Sequence, residues 1–349
     1  MISLSIIVPA FNRADLLEIC LGNLLAQVCP GDEILVVDDG SSDEARWLLE
    51  RFEREHPPIK LYRLNRNYGQ GHARNHGASL AENSILVFVD SDVDIGPGNL
   101  ARVRDFFDEN PKASAVTGRL SLTHPYPSFF SRYKNTYMNY IFGCQAKRVN
   151  FLYGSICAIR SSAFMPWPEK YLGVEDSELG LRMAREGHEL YFLSDLEVIH
   201  FKNYSFKSLL KNDFKVPFGF ARCFWLFQGW KAYLPWGHQE KFSHIQREQV
   251  YSLLIVALTL AFLFIPELRL IGVVSGLILF GTLNFHFFKF LLKNEGLRFS
   301  VLSFFWTFFD QFVMINGALC GLIYHGFLIH FTKEGRPSTI SGEESLDES

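Results

Sequence analysis

The sequence predicts an α/β domain on a mostly parallel sheet, followed by interfacial helices and a small α-helical membrane region. Three observations lead there. Short β-branched runs alternate with amphipathic helical patterns through residues 1–200, the order that builds right-handed βαβ units. Two of those runs, at 33–37 and 85–89, end in carboxylates, and open α/β sheets bind ligands at that edge. After Gln249 charge almost vanishes: residues 250–265 and 270–288 carry none, and 299–331 carry only Asp310. Stretches of that kind are transmembrane candidates.

The 349 residues suffice for more than one structural unit. A net charge of −3 argues against general nucleic-acid binding. The six cysteines show no metal-ligand spacing and read as free thiols in a reducing compartment. Residues 2–11 lack a charged n-region and a signal-type apolar core, so the soluble part is expected to stay in the cytoplasm.

Taken in order, Leu4-Ser-Ile-Ile-Val-Pro-Ala10 reads as a first strand, stopped by Pro9, which has no donor for the ladder. Asn12 is placed to cap a helix whose apolar positions are Leu16, Leu17, Cys20, Leu21, Leu24 and Leu25. Glu33-Ile-Leu-Val-Val-Asp-Asp39 is the second strand, with Ser42 or Asp43 capping the helix that runs to Arg54. Lys60-Leu-Tyr-Arg-Leu64 is the third, followed by the glycine-rich loop Asn67-Tyr-Gly-Gln-Gly-His-Ala-Arg-Asn-His-Gly77 entering a helix. Ile85-Leu-Val-Phe-Val-Asp-Ser-Asp-Val-Asp94 is the fourth strand. Asp90 and Asp92 at i and i+2 offer hard oxygens to a divalent cation, with Asp94 either a third ligand or a turn former. A helix over 100–110, a strand over 113–118, a strand in Tyr153-Gly-Ser-Ile-Cys-Ala-Ile-Arg160 and strand ends at 190–193 and 197–200 follow. Residues 124–140, rich in Tyr, Phe and Pro, give no assignable period. Gly154 would allow a close backbone approach to sugars.

Five motifs in register resemble glycosyltransferase family 2 enzymes of the GT-A fold: Ile6-Ile-Val-Pro-Ala-Phe-Asn12, Val36-Val-Asp-Asp-Gly-Ser-Ser-Asp43, the glycine-rich loop, Val87-Phe-Val-Asp-Ser-Asp92, and Val174-Glu-Asp-Ser-Glu-Leu-Gly-Leu-Arg182. The resemblance covers about the first 200 residues and implies a Rossmann-like catalytic domain. It implies that Pro9, Ala10 and Phe11 border the nucleotide base and that Asp39 accepts from the base edge. Arg74 would lie against the base or diphosphate, Asp90 would contact the ribose or metal shell, and Asp92 would ligate Mn²⁺ or Mg²⁺. His200 falls where relatives often carry a histidine near the metal, and imidazole suits Mn²⁺ better than Mg²⁺.

The physical logic stands beside the family. Departure of a nucleoside diphosphate builds negative charge, which a divalent cation stabilises and Arg74 supplements. Transfer to a hydroxyl needs a base: Asp176 takes that role by resemblance, with Glu175 orienting the acceptor. Plainer readings accompany these. Asp38 and Asp39 suit a turn, Arg74 a helix surface, Asp176 an N-cap and Glu178 a favourable first-turn acid. His72 and His76, four apart, read as polar loop and helix residues. Phe164-Met-Pro-Trp-Pro-Glu-Lys170 departs from the usual family run, and Trp167 suits either sugar stacking or packing.

Residues 201–247 are basic and aromatic, with eight Lys or Arg against Asp213 and Glu240, which suits a membrane–water interface. About three spans are expected over 248–331, near 248–266, 269–290 and 299–331, the last with a possible break at Asn316-Gly317. Asp310 is expected to face a partner helix. Lys289, Lys293 and Arg298 place the second connection on the cytoplasmic side with the catalytic domain. Residues 332–349 read as a disordered tail.

The expectation is therefore an inverting, metal-dependent glycosyltransferase in the membrane, multi-pass, with a nucleotide-sugar donor and a saccharide or lipid-linked acceptor, and no nucleic-acid partner. A polyprenyl-phosphate glycosyltransferase is the nearest alternative, though an ionised phosphate acceptor needs no base. A processive synthase lacks its Gln-Xaa-Xaa-Arg-Trp motif here, and a non-catalytic scaffold would not need the acidic set.

Overall fold

A computed structural model of the chain describes residues 2–41, 43–169, 173–229, 231 and 242–331. The expected disordered tail, much of the 230–241 segment, residues 170–172 and the side chains proposed to cap at 42–43 lie outside the described residues. The first half of the domain follows the βαβ reading: β1 (Leu4–Ala10), α1 (Ala14–Leu25), β2 (Glu33–Asp38), α2 (Asp43–Glu55), β3 (Ile59–Arg63), α3 (Gln70–Leu80) and β4 (Ile85–Val89). β1, β2, β3 and β4 pair in parallel. Alternate residues of each strand enter opposite cores. Leu4, Ile6, Val8 and Val87 pack with Leu17, Leu21 and Leu24 of α1. Ile7, Leu35 and Phe88 pack on the other face with Trp167, Leu179 and Met183. Burial on both faces explains why the strands read as unbroken apolar runs.

The second half comprises β5 (Val93–Asp94), α4 (Asn99–Glu109), β6 (Ala115–Leu120), α5 (Phe129–Gly143), β7 (Arg148–Val149), β8 (Ile156–Arg160), α6 (Glu175–Arg185) and β9 (Leu190–His200). The sheet order is β3-β2-β1-β4-β8-β6-β9-β5, with β7 on β9. Here the sheet turns mixed: β8 is antiparallel to both β4 and β6, while β6 and β9 are parallel. The two strand ends expected at 190–200 are one strand. Asn12 does not cap α1. It adopts the left-handed conformation and its backbone N–H donates to Ser41 Oγ at 2.8 Å.

The unassigned middle stretch is helical as α5. Its N-cap is Ser128, whose hydroxyl accepts from the Ser131 N–H. Polar side chains occupy its buried face. Asn139 donates to the Leu120 carbonyl and Asn135 to that of Ser121, satisfying backbone groups at the end of β6 and just beyond it.

The helical region holds α7 (Phe206–Leu226), α8 (Arg247–Ala261), α9 (Arg269–Leu283), α10 (Phe285–Glu295) and α11 (Leu297–Phe331). Among the described residues two helices, Arg247–Phe264 and Leu297–His330, are long and apolar enough to cross a membrane; α9 and α10 qualify only as a pair bent by 67°. The break therefore falls at Asn284, whose amide donates to the Phe280 carbonyl and to Ser252 Oγ of α8, and α11 runs unbroken through Asn316-Gly317. Those glycines serve packing: a Cβ at Gly317 or Gly321 would lie 2.3 or 2.5 Å from a carbonyl oxygen of α7. α7 thus docks backbone-to-backbone along α11, as small residues permit. Asp310 faces Asp213 of α7 and Lys134 of α5 within the same chain.

Candidate active site

β1 lies beside β4, while β2 and β3 continue on its other side. The strand order reverses there, opening a crevice at the carboxyl ends of the strands. A cavity of about 1050 Å³ occupies it, and all ten expected site residues line it: Pro9, Ala10, Phe11, Asp39, Arg74, Asp90, Asp92, Glu175, Asp176 and His200.

Each acid is held differently. Asp39 leaves β2 buried and accepts from the backbone N–H groups of Tyr68 and Gly69 at 2.7 and 2.8 Å. It therefore fixes the glycine-rich loop against the crevice, while its remaining lone pairs can still accept. Asp38 closes the turn, accepting from the Ser41 N–H at 2.8 Å. Arg74 is not a helix-surface residue. It is 1% exposed, stacks over Trp167 at 4.3 Å and donates to Asp90 Oδ1 at 2.5 Å. Trp167 is buried beneath it as packing. The other Asp90 oxygen accepts from Ser155 Oγ at 2.9 Å.

Asp92 meets His200 because the two-residue strand β5 pairs with the end of β9. His200 Nε2 lies 3.3 Å from Asp92 Oδ1, and Tyr153 OH lies 3.2 Å from His200 Nδ1. Burial raises the Asp92 carboxyl, but His200, Lys202 and Arg13 outweigh it and hold it below its ordinary value. A carboxylate beside an imidazole oriented through its second nitrogen suits Mn²⁺.

The expected three-residue ligand set is not assembled. Among the described residues no three His, Cys, Asp or Glu side chains converge as a metal site, because Asp90 turns to Arg74 and Ser155. Asp92 and His200 are the pair that fits a cation. Asp94 is a turn residue, accepting from Asn23 and from the Gly96 N–H. His72 and His76 part company, one stacking on Tyr68 and approaching Glu169, the other edging Tyr62.

Asp176 stands in the first turn of α6. Its carboxylate accepts from the Gly154 and Ser177 N–H groups at 2.9 and 2.7 Å. A Cβ at residue 154 would meet Arg74 Nη2 at 3.1 Å, so glycine lets the turn before β8 reach the acid. Burial, with Glu175 nearby, pushes the Asp176 carboxyl up to about 6 against the pull of those N–H groups and Arg74. The Gly173 N–H donates to Glu175 at 2.9 Å.

Sequence reasoning passes over Tyr153 as a partner of His200, and over Lys134, Lys202 and Lys215, which also line the cavity. No local pattern marks them; α5, the turn before β8, the end of β9 and α7 bring them in from separate parts of the chain.

Residues 5–166 match the family described as Glycosyl transferase family 2. A poly(ribitol-phosphate) beta-glucosyltransferase of Bacillus spizizenii is 33% identical over 120 residues, which cover 34% of this chain and 19% of that protein. A GalNAc(5)-diNAcBac-PP-undecaprenol beta-1,3-glucosyltransferase of Campylobacter jejuni is 37% identical over 100 residues, 28% of this chain and 32% of that one. The chain thus spans less than half the length of these relatives. Among solved structures, a mannosyltransferase from Pyrobaculum calidifontis in complex with GDP-Man and Mn²⁺ superposes with a TM-score of 0.57 at 16% identity, covering 91% of this chain and 86% of that one; that likeness speaks to the fold. The match to glycosyltransferase family 2 thus covers residues 5–166, a little under half of this chain.

Proposed function

We propose that the chain is an inverting, metal-dependent glycosyltransferase that moves a sugar from a nucleotide-sugar donor to a hydroxyl of a membrane-associated, lipid-linked saccharide or glycolipid, as a step in building a cell-envelope polysaccharide. The observation that carries the reading is the position of Asp176. It is a carboxylate lifted to about 6 in the same cavity as the Asp92–His200 pair and the β1 edge. A base whose pKa lies near the working pH takes a proton efficiently. Asp176 would receive the acceptor hydroxyl's proton as its oxygen attacks the anomeric carbon from the face opposite the leaving diphosphate, while Glu175 orients the acceptor.

A divalent cation at Asp92 and His200 would neutralise the departing diphosphate as a Lewis acid. Phe11, 45% exposed, and the loop held by Asp39 would border the base. Arg74 acts through Asp90, fixing that carboxylate for a ribose contact rather than meeting the phosphates. An organised base favours a hydroxyl acceptor over a polyprenyl phosphate, and also over a scaffold role.

The lipid-linked acceptor draws support from the named substrate of the Campylobacter relative and from the apolar helices. The α10–α11 corner, with Lys293 and Arg298, packs on α5 through Glu295, which accepts from Arg132 and from Thr136. That contact fits a cytoplasmic catalytic domain under the positive-inside preference. The test is a donor screen of the full chain in detergent with uridine, guanosine and thymidine diphosphate sugars and Mn²⁺. Saturable, metal-dependent binding of one class is expected, and binding of none would overturn the assignment.

A further inference from the structure

The two helices long and apolar enough to cross a membrane, α8 and α11, meet the α/β domain in different ways. α8 is tied at its base. There Gln249 donates to Tyr137 OH at 2.6 Å, and Ser252 donates to Gln311 of α11 at 2.7 Å. Toward the tip the α8–α9 hairpin packs on itself, Gly276 against Thr259 and Gly272 against Phe262. Phe264 and Leu270 stand exposed at that end, on either side of the charged turn Pro266-Glu-Leu-Arg269.

α11 instead lies along the domain. Phe299 meets Phe129 of α5 at 5.0 Å between ring centroids, and Trp306 meets Phe130 at 4.9 Å. Tyr133 of α5 donates to Thr307 Oγ1 at 3.1 Å. Farther along, Trp225 of α7 donates to the Leu322 carbonyl at 2.9 Å and would stand 3.2 Å from a Cβ on Gly326. That part of α7 is itself fixed to α6: Phe220 and Cys223 pack with Val174 and Leu181, and Arg222 pairs with Glu178. From Phe299 to Gly326 the contact runs ~40 Å at ~1.5 Å per residue, longer than the ~30 Å hydrocarbon core of a bilayer. A crossing along α11 would therefore draw α6, with its Glu178–Arg222 pair and the acids Glu175 and Asp176, to bilayer depth, where ionised side chains are costly.

The faces of α11 agree with that placement. Ser303, Thr307, Asp310 and Gln311 are buried, while Phe305, Phe312, Leu319 and Ile323 are exposed. The exposed four follow helical spacing and form one apolar stripe.

We propose that α11 does not cross the membrane: it lies in the plane of one leaflet, with its outer stripe sunk among the lipid chains and its polar face on the α/β domain. Only the α8–α9 hairpin crosses. The 18 residues of its first arm reach ~27 Å, enough to bring Glu267 and Arg269 to the far headgroups. This rests on the reading that the chain works in a membrane, and it replaces the expected third crossing with a leaflet-docking surface. The carboxyl end of α11 then stands on the same side as the α/β domain.

The test measures depth. In the full chain carrying Cys29→Ser, Cys144→Ser and Cys320→Ser, a bimane fluorophore is attached in turn at Phe305→Cys, Phe312→Cys and Leu319→Cys. It is quenched in vesicles of phosphatidylcholine brominated at two depths. All three sites should report the same shallow depth, whereas a crossing helix shifts depth by ~10 Å at each seven-residue step. Stepped depths would overturn the proposal. A fluorophore at Ile271→Cys on the hairpin is the reference. Quenching there with none at the three α11 sites would mean that protein, such as a second copy, covers the stripe, and would sink the leaflet surface alone. No quenching at Ile271→Cys either would sink the membrane reading beneath it. A second measurement needs no cysteine variants. With an epitope tag placed after Ser349, and another before Met1, the unsubstituted chain in sealed vesicles should show both tags accessible to antibody from the same side. Tags accessible from opposite sides would mean an odd number of crossings and would overturn the proposal.

Discussion

The two sides of the cavity are built from different material. On the side proposed for the donor the acids stand at or just beyond strand ends and are held locally by the α/β domain: Asp39 by two loop N–H groups, Asp90 by Arg74 and Ser155. On the side proposed for the acceptor the walls meet through side chains distant in sequence. Tyr133 donates to Thr307, Gln249 to Tyr137, and Arg132 and Thr136 to Glu295. The donor side is therefore complete within the α/β domain. The acceptor side exists only when the C-terminal helices are docked. Damage to the helices should cost acceptor use and spare donor binding, and the experiments below press on that asymmetry.

The largest effect is expected where the sides meet. Asp176→Asn should lower transfer by about 10²–10⁴-fold, the range of a positioned base, with nucleotide-sugar affinity unchanged by calorimetry. Near-normal transfer by a folded variant would remove Asp176 from the base role. Stability should move the other way. A carboxyl raised from 3.8 to about 6 in the folded state carries a penalty that is absent below the unfolded value, grows between pH 4 and 6 and is complete above 6. The asparagine variant should thus melt higher than wild type at pH 8, with the gap closing at pH 4.

On the donor side alone, Asp92→Ala should reduce metal-dependent turnover by roughly 10²-fold, since a bound cation supplies several kcal/mol of charge stabilisation. The Mn²⁺ concentration needed for half activity should rise with it. An unchanged metal requirement would move the cation elsewhere. The pH profile gives a gentler test. Transfer should fall about tenfold per unit below the Asp176 value near 6 and level off above it, whereas donor binding should not follow that curve.

The same asymmetry decides what the sequence made legible. β1, β2 and β4 are buried on both faces, so their runs stand out, and the acids that follow them are easy to place. α5 escaped because its buried face carries Ser131, Asn135, Thr136 and Asn139, residues that serve neighbouring carbonyls or, for Thr136, the Glu295 carboxylate and break any hydrophobic period. The antiparallel insertion of β8 also left no trace, because Ile156–Ile159 would look the same running either way. The Asp92–His200 contact depends on pairing between strands about a hundred residues apart. Asp90 was legible as a site acid but not as Arg74's partner, since only the fold buries that arginine beneath the crevice. The membrane-type segments were plain from charge depletion, yet the bend fell at Asn284 rather than at Asn316-Gly317: one is tied to Ser252 of α8, while the other packs a glycine against α7.

The smallest expected effect tests the helices directly. At Gly321 a Cβ would lie 2.5 Å from the Phe218 carbonyl oxygen and 2.8 Å from the Ala221 Cβ, so Gly321→Leu must push α7 and α11 apart. Lys215 and Phe220 ride on α7, and Met314 and Leu322 on α11, so the acceptor side widens while β1, β2 and β4 are untouched. A 1 Å misplacement far from the chemistry can cost on the order of 10²-fold; with one wall shifted and the base in place, about a tenfold loss of transfer to the membrane acceptor is expected. Donor affinity and slow metal-dependent hydrolysis of the nucleotide sugar should stay at wild-type levels. If donor affinity fell in parallel with transfer, the donor side would depend on the helices after all, and the division between the two sides would fail at its root.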